Sequence, residues 1–212
     1  MVLLYNRGES DVINQPSVLG TGRAFAFIAP GIVSIQSSTN RERPKQVTIK
    51  GIDLEGKRTV EFVGISTDQI AFSKNTYSFV QSVEVNGKKT NDGDLTVTDV
   101  EGNEIFVVKE GVGKSQVAWF KAPAGSATAI AKYSAGTLSP LTGDDVTVSL
   151  KVFDGEKEYV LHKLHLTQEH RDGWYEFTIP LHLNKGHVVV LEAVKSDGQG
   201  LTAQGSLEIV AD

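Results

Sequence analysis

Apolar and polar residues alternate one by one along most of the chain. In the stretch QVTIKGI, Val47 and Ile49 alternate with Thr48 and Lys50. A period of two in residues that favour strands predicts antiparallel β-strands with one buried face. No window of eleven or more residues carries apolar side chains at the spacing of an amphipathic helix. The pattern therefore predicts an all-β protein.

A β-hairpin is predicted over residues 51–64, GIDLEGKRTVEFVG. Its second run alternates Val60 and Phe62 against Thr59 and Glu61, which is the period of a half-buried strand. The two runs meet at Asp-Leu-Glu-Gly, where the glycine supplies a positive φ at low cost. The same turn chemistry recurs in DVEGN and FDGEKE, and the flanking residues do not match, so we expect convergent turns rather than repeats.

Strand patterns become sharper in the second half of the chain, where five of them follow at close spacing. We expect WYEFTIPLHL to alternate apolar residues from Tyr175 to Leu183 against polar ones, and HVVVLEAV to be a central strand. AGSATAIAK is also predicted to be a strand. The sequence predicts two antiparallel β-sandwich or jelly-roll-like domains, residues 1–125 with an extended N-terminal arm and residues 126–212.

The bulk composition excludes several classes of function. The chain has 212 residues, a net charge of −5 and no cysteine. Disulfides, thiolate catalysis and cysteine-ligated metal sites are therefore excluded, and the charge gives no general case for nucleic acid or an anionic membrane. The apolar start MVLL is too short for a signal peptide, so we expect synthesis in a cytoplasm without a bilayer anchor.

All five histidines lie in the last quarter of the chain, which suggests testing for a metal site. The spacing argues against one, because residues an odd number apart on a strand face opposite sides. A pair formed by His165 and His182 across two strands stays open. We expect solvated or hydrogen-bonded histidines. The five are His162, His165, His170, His182 and His187.

Other motifs that carry chemistry are incomplete. GVGKS at residues 111–115 lacks the earlier glycine of a phosphate-binding loop, and a strand pattern follows it instead of a helix. There is no GxSxG nucleophile motif. The acidic loops at residues 92–94 and 143–145 lack the distal glutamate of a calcium loop, so we expect turn residues there. We predict no catalytic, cofactor-binding or metal residues and no enzyme activity.

Basic and aromatic residues provide two candidate binding surfaces. A basic patch could dock an acidic protein surface, or could be a solvated sheet edge. Trp174 could stack on a sugar, but we expect its side chain to pack into the end of the sandwich core. The basic residues are Arg41, Arg43, Lys45, Lys50, Lys57, Arg58, Lys88 and Lys89.

The segment VTIKGIDLEGKRTVEFVG, followed by YSFVQSVEVNG, resembles a segment of structural proteins in tailed-bacteriophage virions. The resemblance covers about residues 20–110, with departures at Ile52 and in the short gap before Phe79. The second half resembles a jelly-roll sandwich of the carbohydrate-binding-module or galactose-binding type, and no functional residue is transferred from it. The matching positions in the first half are Ile49, Gly51, Asp53, Gly56, Glu61, Gly64, Phe79, Ser82, Val83, Val85 and Gly87.

The resemblance implies a non-enzymatic virion protein, most specifically a capsid decoration or cement protein on the capsid surface. Such proteins bind the assembled shell of the major capsid protein and associate with themselves as trimers or dimers. The polar segment YNRGESDVINQPS would be an arm that orders on the shell. Two alternatives stay open: a neck, tail or fibre-attachment protein, and an adhesin that binds host-surface glycans through Trp174, Tyr175 or Tyr159.

Overall fold

The structure is a computed structural model that describes residues 2–12, 17–19, 28–39, 45–65, 70–86, 90–115, 117–125, 127–137, 145–195 and 201–211. Every regular element in these residues is a β-strand, which confirms the predicted all-β class. The strands, in chain order, are β1 (Val2–Val12), β2 (Ser17–Val18), β3 (Ser34–Ser37), β4 (Lys45–Ile52), β5 (Arg58–Ile65), β6 (Ala71–Phe72), β7 (Phe79–Val85), β8 (Leu95–Thr98), β9 (Glu104–Val108), β10 (Trp119–Lys121), β11 (Thr128–Thr137), β12 (Val146–Phe153), β13 (Glu158–Leu166), β14 (Asp172–Leu183), β15 (Val188–Lys195) and β16 (Leu201–Ala211).

The chain forms two compact units that do not follow one another along the sequence. The inserted unit comprises Phe27–Gln116, and the discontinuous unit combines Met1–Ala26 with Val117–Asp212. This division differs from the expected boundary after residue 125. The segment around β10 and the N-terminal strands belong with the C-terminal half, because their backbones pair with strands there.

The N-terminal segment is a strand of the discontinuous unit, and the extended arm expected there is wrong. β1 pairs with β16 along its whole length, from Val2 opposite Ala211 to Val12 opposite Leu201. Polar side chains do not prevent this, since an edge strand is held by backbone hydrogen bonds as well as by an apolar face. Gly8 is required, because a Cβ there would lie 2.0 Å from the carbonyl oxygen of Leu19.

Hydrogen bonds explain how one unit can interrupt the other. Leu19 and Val117 are the described residues of the discontinuous unit on either side of the inserted unit. The amide of Ala118 donates to the carbonyl of Leu19 at 2.9 Å, and the amide of Leu19 donates to the carbonyl of Leu191 at 2.9 Å. The backbone segments that precede and follow the inserted unit are therefore held next to each other within the discontinuous unit, which is the geometry that tolerates an inserted domain.

The discontinuous unit is a sandwich of two antiparallel sheets, as predicted for the second half. One sheet has the order β1-β16-β11-β14, and the other has the order β10-β15-β12-β13 with β2 also paired to β15. The alternating residues Val146, Val148, Leu150 and Val152 of β12 are buried, and β15 is a buried central strand, as predicted for HVVVLEAV. Between the sheets lies one apolar core, whose larger members include Leu19, Phe120, Ile130, Tyr133, Leu150, Leu191 and Ile209.

The inserted unit also has two antiparallel sheets, with the orders β6-β3-β8-β9 and β5-β4-β7. Val47 and Ile49 of β4 are fully buried, as their alternation predicts. The largest buried side chains of this unit are Tyr77, Phe106, Ile35, Ile49, Ile65 and Leu95.

Strand β5 has the predicted period, but the opposite face is buried. Val60 is 56% exposed and Phe62 is 62% exposed, whereas Glu61 is buried. The Glu61 carboxylate accepts hydrogen bonds from the backbone amides of Lys74 (2.6 Å) and Asn75 (2.9 Å). A buried carboxylate with amide partners avoids most of the usual desolvation cost. Glu61 therefore shares the buried face of β5 with Val63 and Ile65, and Val60 and Phe62 face outward.

The recurring acidic turns have the geometry that their sequences predict. In the first, the Oδ1 atom of Asp53 accepts amide hydrogen bonds from residues 55 and 57 at 2.9 and 2.8 Å. Asp99 and Asp154 bind the amides after them in the same way. The turn glycines have positive φ: Gly56 at 85°, Gly102 at 82° and Gly155 at 108°.

Candidate binding surface

Exposed large apolar side chains of the discontinuous unit gather on β13 and β14. Each strand lies at the edge of its sheet among the described residues, and the two are joined by the turn around Thr167–Arg171. We call these side chains the aromatic edge. Its members are Tyr159, Val160, Leu161, Trp174, Tyr175 and Ile179.

Trp174 is the most exposed aromatic side chain of this edge, at 63%, so its predicted place in the core is wrong. The other tryptophan, Trp119, is buried. The Nζ atom of Lys132 lies 4.8 Å from the centre of the Trp174 ring, in cation–π contact. The neighbouring strand therefore holds the indole while much of its surface faces solvent.

Backbone irregularities interrupt both strands of the aromatic edge. Ile130 of β11 pairs with Leu181, but Lys132 pairs with Glu176, so one residue of β11 lies opposite residues 177–180 of β14. Ile179 lies in this bulge and is 79% exposed. β13 has its own register shift at residue 161. Bulges hinder the addition of another strand, so this edge is suited to recognition by side chains.

A stack of rings joins β11, β13 and β14, and Tyr175 of the aromatic edge belongs to it. The rings of His162 and Tyr175 are stacked with centroids 3.9 Å apart, and Phe177 meets Tyr175 edge-on at 5.0 Å. The Tyr133 hydroxyl hydrogen-bonds Nδ1 of His162. Burial raises the pKa of Tyr133, and the neighbouring Tyr175 adds to this effect. The stack gives the edge a preformed support.

The five histidines lie in different local settings. His182 pairs with Ala129 of β11, and the amide of His187 donates to the carbonyl of Asn184 at 3.1 Å. His162 belongs to the ring stack, and Nδ1 of His165 lies 3.1 Å from the Thr147 hydroxyl. The amide of His170 closes the β13–β14 turn by donating to Thr167. Among the described residues, no group of three or more histidine, aspartate or glutamate side chains could hold a metal ion.

The GVGKS segment forms a loop whose amides already have partners. The amide of Gly113 donates to Oδ1 of Asn91 at 2.9 Å, and the amide of Gly111 donates to the carbonyl of Asn91 at 3.0 Å. The Ser115 amide donates to the carbonyl of Val83. The next described element is the strand β10, so no helix follows the segment that could direct its amides at a phosphate.

Acidic loop residues are also engaged within the protein. The Asp94 carboxylate binds Nζ of Lys109 at 3.0 Å and the amide of Glu110 at 2.8 Å. These two bonds hold the pKa of Asp94 below its usual value. In the second acidic loop, residues 143 and 144 lie outside the described residues.

The predicted basic patch is only partly within the described residues. Arg41, Arg43, Lys88 and Lys89 lie outside them. Nζ of Lys50 lies 3.5 Å from Glu84, and Nζ of Lys57 lies 2.5 Å from Glu55. These exposed lysines are therefore matched by neighbouring carboxylates, which reduces their attraction for an acidic partner.

Sequence reasoning named three aromatic members of the edge but not its aliphatic ones. Tyr159, Trp174 and Tyr175 were candidates for glycan binding, whereas Ile179 was expected to alternate inward. Pro180 was the available signal, because proline within a strand pattern indicates an edge or a bulge.

Comparisons with known proteins yield no relative. No protein-family model matches the chain, and neither a curated protein nor a solved structure matches it. Within the described part of the chain, no helix is long and apolar enough to cross a membrane.

Proposed function

We propose that this chain is a non-catalytic structural protein of a tailed-phage virion, most specifically a capsid decoration protein. The aromatic edge carries the binding part of the proposal. It exposes Trp174 and Ile179 on a supported, bulged strand pair, which is the composition of a protein-contact surface. The virion assignment rests on the resemblance of the segment around β4, β5 and β7.

In this proposal the aromatic edge docks on the assembled shell of the major capsid protein. A protein that binds only the assembled state stabilises that state by mass action. Rigid sandwich faces suit this task, since little conformational entropy is lost when preformed side chains are covered. The protein therefore acts on the outer surface of the capsid after synthesis in the host cytoplasm.

Co-sedimentation with empty shells that lack the protein tests the proposal. We expect saturable binding at a copy number set by the shell lattice. A variant with Trp174→Ala and Ile179→Ser should bind at least about tenfold more weakly, because exposed aromatic anchors carry much of an interface's energy. Val112→Ser, at another exposed apolar position, is the matched control and should bind normally. Binding to the neck or tail fraction instead would favour another virion position.

Glycan binding is the second candidate, and the exposure of Trp174 favours it specifically. An indole held on one side by Lys132 can offer a face to a sugar ring. A glycan array, followed by calorimetry of any hit with wild type and Trp174→Ala, tests this candidate. Retention on glycans without binding to shells would replace the capsid proposal.

A further inference from the structure

Strand β5 of the inserted unit is a regular and unprotected sheet edge. It pairs with β4 at eight successive positions without a register shift, from Ile65 opposite Lys45 to Arg58 opposite Ile52. Among the described residues, β5 pairs on this side only. Edge strands usually carry a bulge, a proline or an outward charge that prevents pairing. The outward charge of β5 is Arg58, at its first residue. Between Thr59 and Ile65, β5 has no bulge, no proline and no outward charge, because Glu61 points inward.

The side chains on the outward face of β5 differ in size from one position to the next. Val60 and Phe62 are both more than half exposed. Gly64 follows on the same face, and no atom lies within 4 Å of the position that a Cβ would take there. The face therefore presents a medium side chain, a large ring and an open space, in that order.

This order is complementary to itself in an antiparallel pair. If two copies pair about Phe62, each Val60 lies opposite the Gly64 of the other copy, and the two Phe62 rings meet at the two-fold axis. The open space at Gly64 then lies beside the second ring.

The charges beside this face are also compatible with a second copy. Lys50, opposite Val60 on β4, lies 3.5 Å from the Glu84 carboxylate, so it already has a partner of opposite charge. Thr48, opposite Phe62, hydrogen-bonds Asn86. No unpaired charge would be brought to the axis, and polar pairs would surround an apolar centre, as in stable interfaces.

We infer that β5 pairs with β5 of a second copy of this chain, so that two β5-β4-β7 sheets become one six-stranded sheet. The inference is independent of the proposed capsid role, because purified protein alone tests it. Sedimentation or light scattering should give a concentration-dependent mass that rises towards twice the 22.9 kDa of one chain. A monomer mass up to millimolar concentration would overturn the inference, and the edge would then have to bind a different partner.

Cysteine cross-linking tests the register, and the chain is suited to it because it contains no cysteine. Opposed Cα atoms in an antiparallel pair lie at distances that a disulfide spans. Phe62→Cys should therefore form a covalent dimer on mild oxidation. Val60→Cys and Gly64→Cys should each cross-link poorly alone but well when mixed. Leu54→Cys, exposed at the tip of the same hairpin, is the control and should stay monomeric. A different pattern would overturn the register.

Phe62→Lys provides an independent measurement. It places two like charges at the axis, so dimerisation should weaken by about a hundredfold or more. Far-ultraviolet circular dichroism checks that the variant is folded, which we expect at an exposed position. Val112→Lys controls for added charge. Dimerisation that survives Phe62→Lys but is lost with Trp174→Ala would place the contact on the aromatic edge and refute the inference.

Discussion

The two units of this protein end their sheets in different ways. In the discontinuous unit, β13 and β14 are both interrupted by register shifts and expose large rings. In the inserted unit, β5 is regular over eight pairs and exposes a valine and a phenylalanine. An irregular backbone blocks strand addition, so its exposed side chains favour contacts between surfaces. A regular backbone allows another strand to pair with the sheet edge.

The inward faces of the two edges also differ. Behind β14 lies a stack of rings that includes Tyr133, Tyr175 and His162. Behind β5 lies the Glu61 carboxylate, which binds two amides and lies 3.4 Å from the Tyr77 hydroxyl. The first edge is supported by packing and the second by directed hydrogen bonds. Substitutions on the two edges should therefore have very different costs.

Glu61→Ala should have the largest effect among the substitutions that compare the edges. It leaves the amides of Lys74 and Asn75 without their acceptor, so we expect a loss of about 3 kcal/mol in the free energy of unfolding. Urea unfolding followed by circular dichroism measures it. Glu84→Ala, at an exposed position of the same sheet, should cost less than about 0.5 kcal/mol. Equal costs for both variants would contradict the buried role of Glu61.

Gly51 and Gly64, on the paired strands β4 and β5, should respond differently to alanine. A Cβ at Gly51 would lie 2.4 Å from the carbonyl oxygen of Phe79, so Gly51→Ala should destabilise the inserted unit by about 2 kcal/mol. Gly64 has open space at that position, so Gly64→Ala should stay within about 0.5 kcal/mol of wild type. Thermal unfolding of the two variants under one condition measures the contrast, and similar midpoints would disprove it.

The acidic turns offer a smaller, pH-dependent contrast between the units. Burial opposes ionisation of Asp99, but amides of Asn103 and Ala29 outweigh this and lower the pKa of Asp99 below 3.8. A lowered folded-state pKa stabilises the protein above about pH 3.8, and this contribution is lost as the pH falls through the folded value. Asp99→Ala should therefore cost about 1 kcal/mol at pH 6 and almost nothing near pH 2.

Tryptophan fluorescence follows the unfolding of the discontinuous unit, because both tryptophans lie in it. Asp99→Ala should shift the circular-dichroism transition and leave the tryptophan transition in place. Asp154→Ala, in the exposed turn of the other unit, should leave the transition of the inserted unit unchanged. A tryptophan shift caused by Asp99→Ala would contradict independent unfolding of the units.

Trp174→Ala and Ile179→Ser should have the smallest effect on stability. Both side chains are mostly exposed, so each change should alter the free energy of unfolding by less than about 0.5 kcal/mol. Leu183→Ala, at the buried end of the same strand, should cost about 2 kcal/mol or more. A large loss for Ile179→Ser would mean that the bulge packs against other residues.

Much of the local structure was predictable from the residues alone. The apolar pattern predicted strands at β4, β5, β11, β14 and β15, and the acidic residues followed by glycine predicted the turns. The site was less predictable. Tyr159, Trp174 and Tyr175 were named, but the exposure of Ile179 depends on a bulge opposite β11 that involves residues distant in sequence.

The sequence by itself determined that this chain forms antiparallel strands with acidic turns, because strand period and turn chemistry are local properties. Only the tertiary structure decided which face of β5 is buried, since the amides that satisfy Glu61 come from residues 74 and 75. It also decided that β1 completes a sheet with β16, so that one unit interrupts the other. Pairing between distant strands depends on the whole fold, and no local pattern of side chains records it.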